Sequence, residues 1–238
     1  MKLLVSVMDA DEARAAATAG ADIVDVKNPG EGSLGAPAPA VIAAVRAAVP
    51  VALPVSAAIG DMPNLPGTAA LAALGAARSG ATFVKVGLWG TTSEPDAVAL
   101  LRAVREAVPG AVLVAAAYAD AVRVPHAPLA PELLPRVAHA AGVDVCLLDT
   151  AIKDGRGLLE WLSPDALTRL VADAHAAGLE VALAGALRAE ELPVIRDTGA
   201  DVAGVRSAAC HEGRRAGRLD AERVRALRRY ATAGVSVS

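Results

Sequence analysis

The chain has 238 residues, 54% apolar and 21% charged, with a net charge of −3. It can therefore bury a full core, and it offers no basic surface for nucleic acid or for an anionic membrane. Aromatic residues are only 2%, too few to stack bases on.

Short β-branched runs alternate with alanine-rich segments of helical period. In chain order the predicted strands fall at 3–7, 22–26, 53–57, 82–86, 112–116, 144–148, 180–184 and 201–205. The predicted helices lie near 9–19, 37–48, 67–79, 95–108, 131–141, 164–177, 189–198 and 220–231. Several helices hand over to the next strand through one phrase: AGAD at 19–22, SGAT at 79–82, AGVD at 141–144, AGLE at 177–180 and TGAD at 198–201. Glycine there is the expected left-handed helix cap. Eight β/α units in a chain of this length predict an α/β fold, a single (β/α)8 TIM barrel over 1–232 with a C-terminal tail at 233–238. An open doubly wound sheet would carry a glycine-rich loop after its first strand, where VMDADEAR stands instead.

No apolar run reaches the roughly 18 residues of a membrane span. The N-terminal MKLLVSVMDADEAR has no charged n-region or cleavage site, so no signal peptide is read and a cytoplasmic protein is expected. Cys146 and Cys210 lack metal-type spacing and read as reduced thiols, and four scattered histidines give no metal site. No cofactor is expected. The alanine-rich outer helices suit a homo-oligomer.

The 23 basic residues are 19 arginines and four lysines: Lys2, Lys27, Lys85 and Lys153. A chain that uses arginine wherever charge suffices keeps lysine for work a guanidinium cannot do, such as losing a proton and attacking a carbonyl. Lys27 ends the second predicted strand, Lys85 the fourth, and Lys153 follows the sixth, so all three fall on the face where barrel active sites form. Asp25 shares a strand face with Lys27, and Asp149 ends the sixth strand four residues before Lys153. Any one of these could be a rim ion pair. Together they predict a neutral amine at Lys27, its pKa lowered by neighbouring ammonium groups, with Asp25 to orient it and shuttle protons.

The last two strands end in ALAGAL and AGVRSAAC. Gly185 and Gly204 there would let a phosphate approach the backbone, with Arg206 beside it, since barrels often bind phosphate at these loops. Arg214, Arg215 and Arg218 read as a solvated lid or subunit contact that helps to attract an anion. Asp61, Tyr118 and Asp120 lie on the same face and are candidates to support the site from behind.

The sequence resembles the (5-formylfuran-3-yl)methyl phosphate synthase family at these residues. The resemblance is carried by LLVSV at 3–7, GADIVDVKNPGEGSLGA at 20–36, VSAAIGD at 55–61, VKVGL at 84–88, AYAD at 117–120, LLDTAIKDG at 147–155, LAGAL at 183–187 and GVRSAAC at 204–210. It implies a barrel that condenses two molecules of the triose phosphate glyceraldehyde 3-phosphate into 4-(hydroxymethyl)furan-2-carboxaldehyde phosphate without a cofactor. The family's Schiff-base lysine matches Lys27, and its other catalytic positions match Asp25, Lys85, Asp149 and Lys153. Ser207, where the family often has glycine, and Leu65, where it can have a basic residue, depart from the pattern. Two alternatives stand beside this reading: another Schiff-base aldolase on a phosphorylated carbonyl compound, or a non-catalytic phosphate-binding barrel that would tolerate Lys27→Arg.

Overall fold

The computed structural model describes residues 1–232; the expected tail 233–238 lies outside the described residues. The elements run β1 (Lys2–Val7), α1 (Ala10–Thr18), β2 (Ile23–Val26), α2 (Pro39–Ala48), β3 (Val55–Asp61), α3 (Pro66–Arg78), β4 (Phe83–Gly87) and α4 (Glu94–Ala107). They continue β5 (Val112–Tyr118), α5 (Leu134–Ala141), β6 (Val145–Asp149), α6 (Pro164–Ala176), β7 (Glu180–Leu183), α7 (Leu192–Asp197), β8 (Val202–Val205) and α8 (Ala221–Thr232). The strands close in sequence order into one parallel barrel, β8 pairing with β1 through Leu4↔Gly204 and Val5↔Val205. The (β/α)8 TIM barrel read from the alternation is the fold observed. Gly20, Gly80, Gly142, Gly178 and Gly199 all carry positive φ, from 69° to 104°, as the repeated handover phrase requires.

Alternation along the strands sorts the apolar residues into two shells. Leu3, Val5, Val7, Val24, Val84 and Val86 face outward and pack with helix residues such as Ala13, Ile42, Leu100 and Val104. Ile23, Ala58, Val114, Val145, Leu147 and Val202 face inward and fill the barrel's lower interior. Above them the inward positions turn polar.

Two strands differ from their predicted extents by more than one residue, and both differences matter at the mouth. Residues 50–54 form a turn rather than the start of β3, because the Arg46 guanidinium takes the carbonyls of Val49 (3.0 Å) and Leu53 (2.8 Å). The strand instead runs on past an irregularity between Ala58 and Asp61, so Asp61 is a strand-end residue. Likewise β5 reaches Tyr118, which pairs with Asp149 across the ladder. Helices α5 and α7 begin three residues late, after 3-10 turns at Pro131–Leu133 and Ala189–Glu191. Each restarts with a proline at its second position, where the missing N–H costs nothing.

Candidate active site

The polar layer starts at Ser6, Asp25 and Ser56, which are consecutive register partners on β1, β2 and β3. Asp25 is fully buried. Its Oδ2 accepts from Lys85 Nζ at 2.7 Å and from Ser6 Oγ at 3.0 Å. Its Oδ1 and the Ser56 hydroxyl are buried without a hydrogen-bond partner among the described residues. A buried carboxylate normally satisfies both oxygens, so Asp25 keeps one acceptor free inside the cavity that both residues line.

Lys27 stands one layer higher on the same face. Its amide donates to the Val7 carbonyl at 3.1 Å, carrying the β1–β2 ladder one residue past the strand end. The side chain is only 7% exposed. Burial is the main cause that brings its pKa down from 10.5 to about 7; Lys85 and Lys153 push the same way, while Asp149 and Asp25 oppose them. The low pKa expected from the sequence is therefore found, but repulsion among ammonium groups is the smaller part of it. Desolvation of the charged form dominates.

Across the mouth, Lys153 Nζ donates to Asp149 Oδ1 at 2.6 Å and to Thr150 Oγ1 at 3.2 Å, and the Thr150 amide donates to the same carboxylate oxygen at 2.8 Å. Burial alone would raise the Asp149 pKa, yet Lys153 and Lys27 hold it below the ordinary carboxylate value. The five residues singled out by the lysine argument and the resemblance thus line one cavity, of about 250 Å³. That is near the small end of ligand pockets. It offers an amine close to half-deprotonated at neutral pH, flanked by two carboxylate–ammonium pairs.

Asp61, Tyr118 and Asp120 stand behind this wall rather than in it. Asp61 accepts from the Tyr118 hydroxyl (2.5 Å) and from the amides of Ser33 (2.8 Å) and Leu34 (3.3 Å). Ser33 Oγ in turn donates to the Thr150 carbonyl at 2.7 Å. The segment after β2 is thereby drawn across the mouth to β6 on the opposite side of the barrel. Burial, followed by the Asp61 charge, pushes the Tyr118 phenol well up, so it stays a donor. Asp120 accepts from the amides of Ala151 (2.5 Å) and Ile152 (3.0 Å), fixing the loop that carries Lys153.

Gly32 turns this roof at a φ of 124°, and a Cβ there would lie 2.3 Å from Asp61 Oδ2. Gly32→Ala is expected to destabilise the protein by about 1–3 kcal/mol through left-handed backbone strain and that clash. A lowered urea midpoint at unchanged m-value would show it.

Gly185 and Gly204 line the cavity as expected. A Cβ on Gly185 (φ 108°) would sit 3.1 Å from Thr150 Cγ2 and 3.5 Å from Asp149 Oδ1, so glycine keeps that side open. Ser207 also lines the cavity, whereas Leu65 does not. Arg206 is in the wall, but its guanidinium is spoken for. Its five N–H donors go to Glu12 Oε2 (2.6 Å), Glu12 Oε1 (3.3 Å) and the carbonyls of Ser6 (3.0 Å), Arg215 (2.9 Å) and Gly217 (2.7 Å). A side chain so engaged has no donor left for a phosphate.

Three site residues escape a sequence reading that follows charge. Ser6 and Ser56 carry a weak signal, a hydroxyl inside an otherwise apolar strand. Glu12 carries none, since an acid in the first turn of a helix is ordinary.

Among the described residues, no group of three or more His, Cys, Asp or Glu side chains comes together as a metal site. Cys146 and Cys210 are free and buried, and burial pushes the Cys146 thiol up to about 12. No helix among the described residues is long and apolar enough to cross a membrane.

Phosphoribosyl anthranilate isomerase from Thermus thermophilus has a similar solved structure, with a TM-score of 0.64 at 19% identity over 97% of this chain and 98% of that one. This is a likeness of fold alone. The (5-formylfuran-3-yl)methyl phosphate synthase of Methanocaldococcus jannaschii is 48% identical over 233 residues, covering 96% of this chain and 98% of that protein. Its namesake in Methanopyrus kandleri is 50% identical over 218 residues, covering 90% and 91%. The family profile described as 4-HFC-P synthase matches residues 3–228, nearly the whole barrel. The chain is an enzyme that belongs to the 4-HFC-P synthase family.

Proposed function

We propose that this enzyme condenses two molecules of glyceraldehyde 3-phosphate into 4-(hydroxymethyl)furan-2-carboxaldehyde phosphate through an imine on Lys27. The observation that carries the reading is the Lys27 amine: buried, free of any ion pair among the described residues, and at a pKa of about 7. The relatives' shared name supports the product, which belongs to the biosynthesis of methanofuran-type cofactors. Two three-carbon phosphates become one six-carbon furan phosphate with loss of one phosphate and two waters, so no oxidant or reductant is needed.

The neutral Lys27 amine attacks a triose carbonyl and water leaves, giving an iminium that acts as an electron sink. Loss of the neighbouring C–H proton gives an enamine, which can attack the aldehyde of the second triose. Asp25 has an uncommitted oxygen to receive a proton, and Lys85 steadies its charge. The Asp149–Lys153 pair can return a proton to a departing hydroxyl or phosphate oxygen.

The experiment is direct. Incubation with glyceraldehyde 3-phosphate should release inorganic phosphate and furan aldehyde phosphate in equal amounts. Phosphate release without the furan ring would refute the condensation.

The pH dependence follows from Lys27. Only the unprotonated amine attacks, so imine formation should rise through pH 7 and level off above it. Between pH 8 and pH 6 the neutral fraction falls about tenfold for a group with this pKa. Single-turnover trapping across pH 5.5–9 measures it, and a flat profile would mean that another group limits attack.

A further inference from the structure

Among the described residues, six cationic side chains line the cavity: Lys27, Lys85, Lys153, Arg156, Arg206 and Arg215. Four are neutralised by a carboxylate: Lys85 by Asp25, Lys153 by Asp149, Arg156 by Asp154 and Arg206 by Glu12. Lys27 is the nucleophile of the reading above. Arg215 alone remains. Among the described residues it has no ion pair, and only its Nη2 is bonded, to the carbonyls of Gly32 (2.7 Å) and Ser33 (3.1 Å). Its Nε and Nη1 have no protein partner among the described residues.

The fold spends a good deal on placing this side chain. Glu12 and Arg206 form a buried pair, and Arg206 holds the Arg215 carbonyl at 2.9 Å and the Gly217 carbonyl at 2.7 Å. Glu12 also accepts from the Leu219 amide at 3.2 Å. The loop after β8 is thus pinned from below, and Arg215 returns from it over the cavity to the segment after β2. Its neighbours Arg214 and Arg218 pair with Glu212 and Asp9 at the surface. A half-buried guanidinium with open donors, which feels Asp149 and Asp61 only from beyond ion-pair range, is an unfinished anion site.

We infer that Arg215 is the specificity-determining residue for the substrate's phosphate. It takes the dianion through Nε and Nη1 while Nη2 clasps the Gly32–Ser33 roof, so anion binding and closure of the mouth share one side chain. Arg206, expected from the sequence to bind the phosphate itself, is the positioning residue that aims Arg215. This inference rests on the imine reading for its substrate, and the test separates the two.

Lys27 imine would be trapped with borohydride from glyceraldehyde 3-phosphate and from unphosphorylated glyceraldehyde, in wild type, Arg215→Gln and Arg215→Lys. Loss of a charged, two-donor contact is expected to cut the preference for the phosphorylated aldehyde by about 10- to 100-fold in Arg215→Gln. Trapping of glyceraldehyde should fall far less than trapping of the phosphorylated aldehyde, whereas a merely structural defect would lower both alike. Arg215→Lys keeps the charge without the fork and should fall between. An unchanged preference in Arg215→Gln would overturn the inference. If neither aldehyde is trapped in the wild type, the imine reading fails; ³¹P titration with inorganic phosphate then decides on Arg215 alone. Weaker phosphate binding by Arg215→Gln supports it there, and equal binding overturns it.

Discussion

Lys27→Arg is expected to give a folded barrel that makes furan aldehyde phosphate at roughly 10⁻⁴ of the wild-type rate or less, on the scale of nucleophile loss in other enzymes. A guanidinium keeps the charge and much of the length, yet it does not surrender a proton near neutral pH and forms no imine. The substitution therefore separates chemistry from electrostatics. A phosphate-binding barrel would keep its affinity for triose phosphate in this variant and lose nothing it had. An enzyme that works through Lys27 loses turnover while its phosphate contacts persist. Lys27→Met should be equally inactive and somewhat more stable, because the desolvated amine that burial drives to a pKa of about 7 is gone.

The largest effect on stability is expected at Glu12. Its carboxylate is 3% exposed and accepts from the Arg206 guanidinium twice, from the Met8 amide at 2.9 Å and from the Leu219 amide at 3.2 Å. Glu12→Ala leaves the Arg206 charge buried with no counter-ion and two amides without an acceptor. Breaking a buried pair by removing one partner costs about 3–5 kcal/mol. In a domain of this size that corresponds to a fall in Tm on the order of 10 °C. Replacing both partners, Glu12→Met with Arg206→Met, should recover part of the loss, since two buried charges then disappear together. Thermal unfolding of the wild type and these two variants tests this. A double variant no more stable than Glu12→Ala would show that the carbonyl contacts of Arg206, rather than its charge, hold the loop.

The two substitutions mark what was legible in the sequence and what was not. The barrel was legible because its signal is local: period-2 runs, helical segments and a glycine at the same handover point in unit after unit. The lysines of the cavity were legible because arginine usage elsewhere made them rare, and strand alternation put Asp25 and Lys27 on one face. The Glu12–Arg206 pair was not, since its members stand 194 positions apart and each has an ordinary local reading. Arg206 was accordingly read as a phosphate ligand, which is what an arginine at the end of the eighth strand suggests. Only the accounting of its five donors shows a side chain turned inward to hold a loop. Asp61 and Tyr118 were placed on the correct face, but their task of holding the Gly32–Ser33 roof depends on β3 and β5 running longer than their patterns indicated.

The proposed reaction passes through a covalent bond to Lys27, and intact mass after incubation with glyceraldehyde 3-phosphate and borohydride detects that bond. The wild type should carry one triose-derived adduct, mapped by peptide mass to Lys27 and absent from Lys27→Arg. An adduct on another lysine, or none on a wild type that still makes the furan, would contradict it.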